Sequence, residues 1–279
     1  MILAVKNLTK TIKDKLVLDS ISFEVEKPSI LGLCGKNGSG KTTLFRVLLE
    51  LCKYEAGTII DQSKKRKVIF DTPPNMDGQI IADYLNFFST LYQGTMLNSE
   101  EKTSILKVAN LDRYEKKRVS NLSFGMKKIL YLSTLLIDEA DLVIIDEPFN
   151  GLDSNTLEIA KTIILECKQK QNAAVIVSSH LIGELEDICD SFIQLKGRKA
   201  ICTPTLEKSL IELRIVCPDI ELVLTSIAGM YDYATKSKMN YVDISINPVI
   251  TSFDIAQKLV EKKTPFHEIF YKKVLSSNI

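Results

Sequence analysis

Neither charge sign dominates the 279 residues. Lys and Arg number 36 against 35 Asp and Glu, a formal net charge of +1. That balance speaks against the basic stripe on which nucleic-acid binders rely, and no nucleic-acid partner is expected. No apolar run reaches the roughly 18 to 20 residues needed to cross a bilayer. The longest, such as LVII and STLLI, suit a strand or a core helix. The opening residues MILAVKNLTK lack the basic, apolar and small-residue order of a secretory signal. The chain is therefore expected to stay in the cytosol and not to cross a membrane itself. The six cysteines (Cys34, Cys52, Cys167, Cys189, Cys202 and Cys217) include no C-x-x-C pair and no His partner at zinc spacing. They read as small buried apolar residues kept reduced, not as disulfides or metal ligands. Repeats and low-complexity stretches are absent as well.

What remains is an ordinary globular composition, 45% hydrophobic and 25% charged. The length suits one large domain, or one with a smaller companion. Residues 2 to 34 read as three β segments: ILAVKNLTK, the alternating KLVLDSISFEV, and SILGLC. Residues 42 to 53 have helical spacing. TIIDQ and KVIFD read as two strands, with the run KKRK as a solvated hairpin turn. Residues 76 to 118 are expected to be mostly helical, followed by a helix over KKILYLSTLLI. DLVIID and AAVIVSS are continuous apolar runs, the mark of strands covered on both faces in a parallel sheet. TLEIAKTIILECKQ reads as a helix between them, GELEDICD as the opening of another helix, and SFIQLKGRKAI as a hairpin. Strands alternating with helices predict an α/β fold. From about residue 208 the pattern changes to β-α-β-β-α-β, a small ferredoxin-like α+β appendage. From Thr205 onward its charges balance, nine basic against nine acidic, which fits a packing or regulatory module.

One segment stands out chemically. GKNGSGKTT, residues 35 to 43, lies between an apolar strand and an apolar helix and fits G-x-x-x-x-G-K-[ST]. Glycines let backbone N–H groups curl round phosphate oxygens, and the following helix turns its positive end to the anion. Gly35, Lys36, Asn37, Gly38, Ser39 and Gly40 form that cradle. Lys41 reaches the β- and γ-phosphates, Thr42 places its hydroxyl on Mg²⁺, and Thr43 adds a bond to the α-phosphate. The segment predicts binding of a nucleoside triphosphate. DLVIIDEP ends its strand in two carboxylates: Asp146 is placed to hold Mg²⁺ and Glu147 to polarise an attacking water. SSH puts His180 at a neighbouring strand's C-terminal edge, where ligands of such sheets sit. There it can contact the γ-phosphate and the water.

The order GKNGSGKTT, LSFGM, VIIDEP, NGLD, SSH resembles the ATPase subunit of ATP-binding cassette (ABC) transporters over about residues 2 to 205. The resemblance implies a P-loop NTPase core at 1–205 with an inserted helical subdomain at about 72–135, followed by the small domain at 206–279. It also implies ATP and Mg²⁺ as ligands and a head-to-tail dimer of ATPase subunits. In that dimer Ser123 and Gly125 of one chain face the phosphate loop, Asp146, Glu147 and His180 of the other. Asn150, Gly151, Leu152 and Asp153 match the loop through which such dimers communicate. An integral-membrane permease is implied as partner, with the chain held peripherally at the cytoplasmic face of the cell membrane.

Five positions depart from the family. Phe124 and Met126 stand where its signature has glycine and glutamine, which resembles the exporter branch of bacitracin- and lantibiotic-resistance ATPases. Ile12 falls where an aromatic stacks on adenine, and supplies apolar contact without π-stacking. Asp71 aligns with the glutamine that ligates Mg²⁺. Pro28 replaces a turn glycine. The resemblance implies export of a peptide, drug or lipid-like amphiphile. Two other functions compete: a degenerate clamp that binds ATP with little hydrolysis, and a soluble non-transport ATPase.

Overall fold

The structure, a computed structural model, describes residues 1–203, 210–228, 233–236, 241–246, 252–262, 264–265 and 268–275. The chain divides into two compact units, Met1–Thr203 and Pro204–Ile279.

The first unit opens with β1 (Leu3–Ile12) and β2 (Lys15–Val25), antiparallel strands joined through Lys13 and Asp14. Both joining residues have positive φ, as a tight two-residue hairpin turn requires. Alternation along β2 sends Leu18, Ile21, Phe23 and Val25 inward. β3 (Ser29–Cys34) runs through a loop into α1 (Lys41–Leu48), and β4 (Ala56–Asp61) returns to pair with β1. β5 (Arg66–Ile69) then leads to three helices, α2 (Ile81–Gln93), α3 (Ser99–Val108) and α4 (Phe124–Ser133). β6 (Leu142–Ile145), α5 (Ser154–Gln171), β7 (Ala174–Ser179), β8 (Ser191–Lys196) and β9 (Lys199–Thr203) complete the unit.

Two sheets result. One is antiparallel, in the order β2-β1-β4; the other has six strands in the order β5-β6-β7-β3-β8-β9. All pairs of the second sheet are parallel except the edge hairpin β8–β9. β6 and β7 are buried along their whole length, which explains their unbroken apolar sequences. The apolar face of α1, Leu44, Phe45, Val47 and Leu48, packs between the sheets against Leu18, Leu31, Leu33 and Ile193. The result is a mixed α/β fold with the C-terminal ends of β3, β6 and β7 side by side.

The second unit carries β10 (Leu210–Val216), α6 (Ile220–Ser226), β11 (Tyr233–Lys236), β12 (Tyr241–Ile246), α7 (Ser252–Glu261) and β13 (Glu268–Leu275). Its antiparallel sheet has the ferredoxin-like order β11-β12-β10-β13. Leu213, Ile215, Val223, Val242, Ile244, Ile255 and Leu259 form its separate core.

Two local expectations are corrected. KKRK is not a solvated hairpin turn, because β4 and β5 belong to different sheets. The backbone N–H groups of Lys64 and Lys65 donate to the Asp141 carboxylate at 2.9 and 3.0 Å. Lys67 is buried in β5, where its ammonium donates to the carbonyls of Leu135, Ile137 and Asp138 and lies 5.1 Å from the Tyr92 ring centre. GELEDICD does not open an α-helix. It makes one 3₁₀ turn at Ile182–Glu184 followed by further turns. Asp190 stops the segment by accepting the Ile30 N–H at 2.7 Å and pairing with Lys168 at 2.5 Å.

Candidate functional site

The loop after β3 is shaped by glycines, through positive φ at two of them and close packing at Gly35 and Gly40. Gly38 and Gly40 have φ of 79° and 108°. A Cβ on Gly40 would stand 2.9 Å from Leu18 Cδ2, and one on Gly35 would stand 2.5 Å from Ser39 Oγ. Lys36, Asn37 and Gly38 form the exposed tip. α1 then starts at Lys41 with no side-chain cap and no acidic residue in its first turn. Its leading N–H groups and the positive end of its dipole are left for an anion.

The two carboxylates leave β6 beside this loop, and both are buried. Asp146 accepts the hydroxyl protons of Thr42 at 2.9 Å and Ser178 at 2.7 Å. The same Ser178 oxygen accepts the Glu147 N–H at 2.9 Å. Glu147 has φ of 47°, a left-handed conformation costly for a side chain of its size. Its carboxylate lies 3.0 Å from Lys41 Nζ through one oxygen and 3.0 Å from His180 Nδ1 through the other. Lys41 Nζ also donates to the Gly35 carbonyl at 2.5 Å. The strand edge thus gathers a cation, two carboxylates, two hydroxyls and an imidazole.

Lys41, Thr42, Asp146 and Glu147 line a cleft of about 540 Å³, together with Ile12, Lys15, Val17, Asn37, Gly38, Gly40, Thr43, Asp71 and Asn150, while Ser178 and His180 stand behind the carboxylates, outside its lining. Ile12 is half exposed at its mouth. Asp71 is placed at the cleft, but its carboxylate is already engaged: Lys128 Nζ lies 3.0 Å away and Asn150 Nδ2 3.5 Å. The hard oxygens of Thr42 and Asp146 are a donor set that suits Mg²⁺.

Ser123, Gly125 and Asp153 lie apart from the cleft lining. Ser123 caps α4 by accepting the Met126 N–H at 3.3 Å, and Asp153 caps α5 by accepting the Thr156 N–H at 2.9 Å. Their caps adjoin one another: Gly125 faces Leu152 and Thr156, and the exposed Phe124 ring covers Gly151. Cys34, next to the loop, is buried, and desolvation pushes its thiol up to about 12 against the pull of Lys41. It is an inert thiol.

Two residues of the site escape sequence reading. Ser178 is one of two consecutive serines, and only its position opposite Asp146 distinguishes it. Lys128 follows another lysine and reads as a solvated helix charge. In fact its side chain is 1% exposed, whereas that of Lys127 is 26% exposed and pairs with Asp77.

The profile of the family described as "ABC transporter" matches residues 18–150. One described as "AAA domain, putative AbiEii toxin, Type IV TA system" matches residues 115–186. An uncharacterized ABC transporter ATP-binding protein of Methanocaldococcus jannaschii is 34% identical over 200 residues, 71% of this chain and 75% of the relative. The bacitracin transport ATP-binding protein of Enterococcus faecalis is 29% identical over 200 residues, 68% of this chain and 64% of the relative. A solved ATP-binding subunit of an ABC transporter superposes with a TM-score of 0.64 at 25% identity, covering 73% of this chain and 90% of the other.

Proposed function

This chain belongs to the ABC transporter family as an ATP-binding, ATP-hydrolysing subunit, and we propose that it drives a separate membrane permease exporting a peptide, drug or lipid-like amphiphile. The observation that carries the hydrolytic reading is Glu147, held between Lys41 and His180 beside the phosphate loop. In this reading the N–H groups of Gly35 to Thr43 wrap the phosphates of ATP, and Ile12 covers the adenine. Lys41 offsets the charge of the β- and γ-phosphates. Thr42 and Asp146 hold Mg²⁺, with Asp71 at its margin, and the ion neutralises phosphate charge when bound. Glu147 orients a water molecule and takes its proton, and His180 Nδ1 fixes the carboxylate in place.

The rest of the reading requires a second copy. Ser123 and the N–H groups at the start of α4 in one copy meet the γ-phosphate held by the other, as a helix N-terminus can. Asp153 and its loop pass the change between copies. Loss of the γ-phosphate loosens the pair, and that motion is delivered to the permease at the cytoplasmic membrane face. Among the described residues no helix is long and apolar enough to cross a membrane. Export is favoured by the likeness to the bacitracin transport ATP-binding protein and by Phe124 and Met126 in the signature.

The test is ATP turnover by the purified full chain with Mg²⁺ and with chelator, beside Lys41→Ala. Turnover that requires Mg²⁺ and disappears with nucleotide binding in Lys41→Ala supports the site. Undiminished binding in that variant means the loop is not the phosphate cradle. Co-purification from native membranes tests the permease, and recovery of no integral membrane protein defeats that half.

A further inference from the structure

Lys128 sits on α4, one turn after Ser123, yet it serves the other side of the site. All three of its N–H donors are placed: the Asp71 carboxylate at 3.0 Å, the Glu147 carbonyl at 2.8 Å and the Asn150 carbonyl at 2.9 Å. A cation this deeply buried is tolerated only when paired and fully hydrogen-bonded, and an apolar side chain of similar volume would fill the space at less desolvation cost. Packing alone therefore does not explain an ammonium here.

We propose that Lys128 is a positioning residue for hydrolysis: by holding the Glu147 and Asn150 carbonyls and anchoring on Asp71, it fixes the backbone from which the Glu147 carboxylate projects. The inference rests on the reading of Glu147 as the residue that activates water. Glu147 is held on both sides of its left-handed backbone, its N–H by Ser178 and its carbonyl by Lys128. That conformation sends the carbonyl to Lys128 and the carboxylate to Lys41 and His180. Released from Lys128, the carbonyl keeps only the long Asn150 N–H contact at 3.4 Å, and the more common backbone conformations would aim the carboxylate elsewhere. Asp71 is in this arrangement the counter-ion that makes the buried ammonium tolerable. Because its own side chain is 49% exposed at the cleft, a group bound against Asp71 acts on Glu147 through one lysine.

The experiment compares Lys128→Met, which keeps the apolar stem and removes every donor, with Lys128→Gln, which keeps two N–H donors. Turnover, KM for ATP and the urea-unfolding midpoint are measured on the full chain. Lys128→Met is expected to lower kcat on the order of 100-fold, as for a displaced general base, with KM within about threefold of wild type. Lys128→Gln is expected to recover at least about tenfold of that loss, because the carbonyls keep their donors. A Lys128→Met kcat within about threefold of wild type overturns the proposal, as does an equal loss in both variants. Should Lys128→Met not fold, Asp71→Asn decides. It removes the counter-ion while keeping the side-chain volume, so the urea midpoint should fall and kcat at saturating Mg²⁺ should fall at least about threefold, and an unchanged kcat overturns the proposal. A wild-type chain that consumes no ATP defeats the functional reading itself and this inference with it. Wild-type turnover with an unaffected Lys128→Met defeats the positioning role alone.

Discussion

The ammonium of Lys41 lies 3.0 Å from the Glu147 carboxylate and 2.5 Å from the Gly35 carbonyl oxygen. The lysine's charge is thus set against the carboxylate that activates water in the proposed reaction, and one of its donors is held by the Gly35 carbonyl. In the proposed reaction an incoming phosphate would compete with Glu147 for the same cation, and would free the Glu147 oxygen facing Lys41 while the one facing His180 stays held.

Replacing Glu147 by Gln keeps its volume and removes its charge. Turnover should fall by roughly 10² to 10⁴-fold, the usual contribution of a general base, while ATP binding is retained or strengthened by removal of the competitor for Lys41. ATP-loaded Glu147→Gln should elute as a dimer on a sizing column. A monomer under those conditions would contradict the paired-copy reading.

Gly40→Ala combines two penalties, a φ of 108° and a Leu18 methyl 2.9 Å from the new Cβ. Unfolding free energy should drop by roughly 1 to 3 kcal/mol, the cost of a side chain in a sparsely populated conformation, and affinity for a fluorescent ATP analogue should fall. Gly38→Ala is the control, since its Cβ would meet nothing within 4 Å. It carries backbone strain alone, so its urea midpoint should move less. Equal shifts in the two variants would mean that Leu18 does not shape the loop.

Burial lowers the Lys67 pKa from 10.5 to about 8, more than the nearby Asp138 charge raises it. Between those values the unfolded chain binds a proton that the folded chain does not. Its contribution to stability is therefore present above pH 10.5 and lost as pH falls through about 8. The buried thiols of Cys34 and Cys167, pushed up to about 12 from 9.0, act oppositely as pH rises above 9.0. The difference between wild type and Lys67→Met isolates the lysine. It should shift by about 1 kcal/mol in favour of wild type between roughly pH 7.5 and 9. Urea titrations that give parallel curves for the two proteins would show that Lys67 does not titrate there.

The sequence is legible where one segment carries its own chemistry. The phosphate loop needs glycines and a lysine at fixed spacing, and an unbroken apolar run ending in Asp146 and Glu147 marks a buried strand arriving at a polar edge. Both are local facts. Legibility fails where the deciding partner is distant in the chain. Lys64 to Lys67 look like a solvated turn until carbonyls near residue 135 and the carboxylate of Asp141 are brought to them. Lys127 and Lys128 are identical side chains on one helix. Only the crossing of α4 over the ends of β5 and β6, where it meets Asp71 and Glu147, makes one a surface charge and the other a buried one. GELEDICD has helical composition, but the Asp190 contacts to Ile30 and Lys168 leave it only turns.

The excursion between β5 and β6 is fastened unequally at its two ends. Far from the nucleotide cleft, Lys67 clasps three carbonyls, Lys65 pairs with Asp138, and Asp141 ties down two backbone amides. Beside the cleft, Lys128 on α4 holds Asp71, Glu147 and Asn150, and Phe124 and Gly125 pack on Gly151, Leu152 and Thr156. The helices between these strands are therefore tied down at both ends by different means, backbone carbonyls gathered round Lys67 at one and a buried ammonium with apolar contacts at the other.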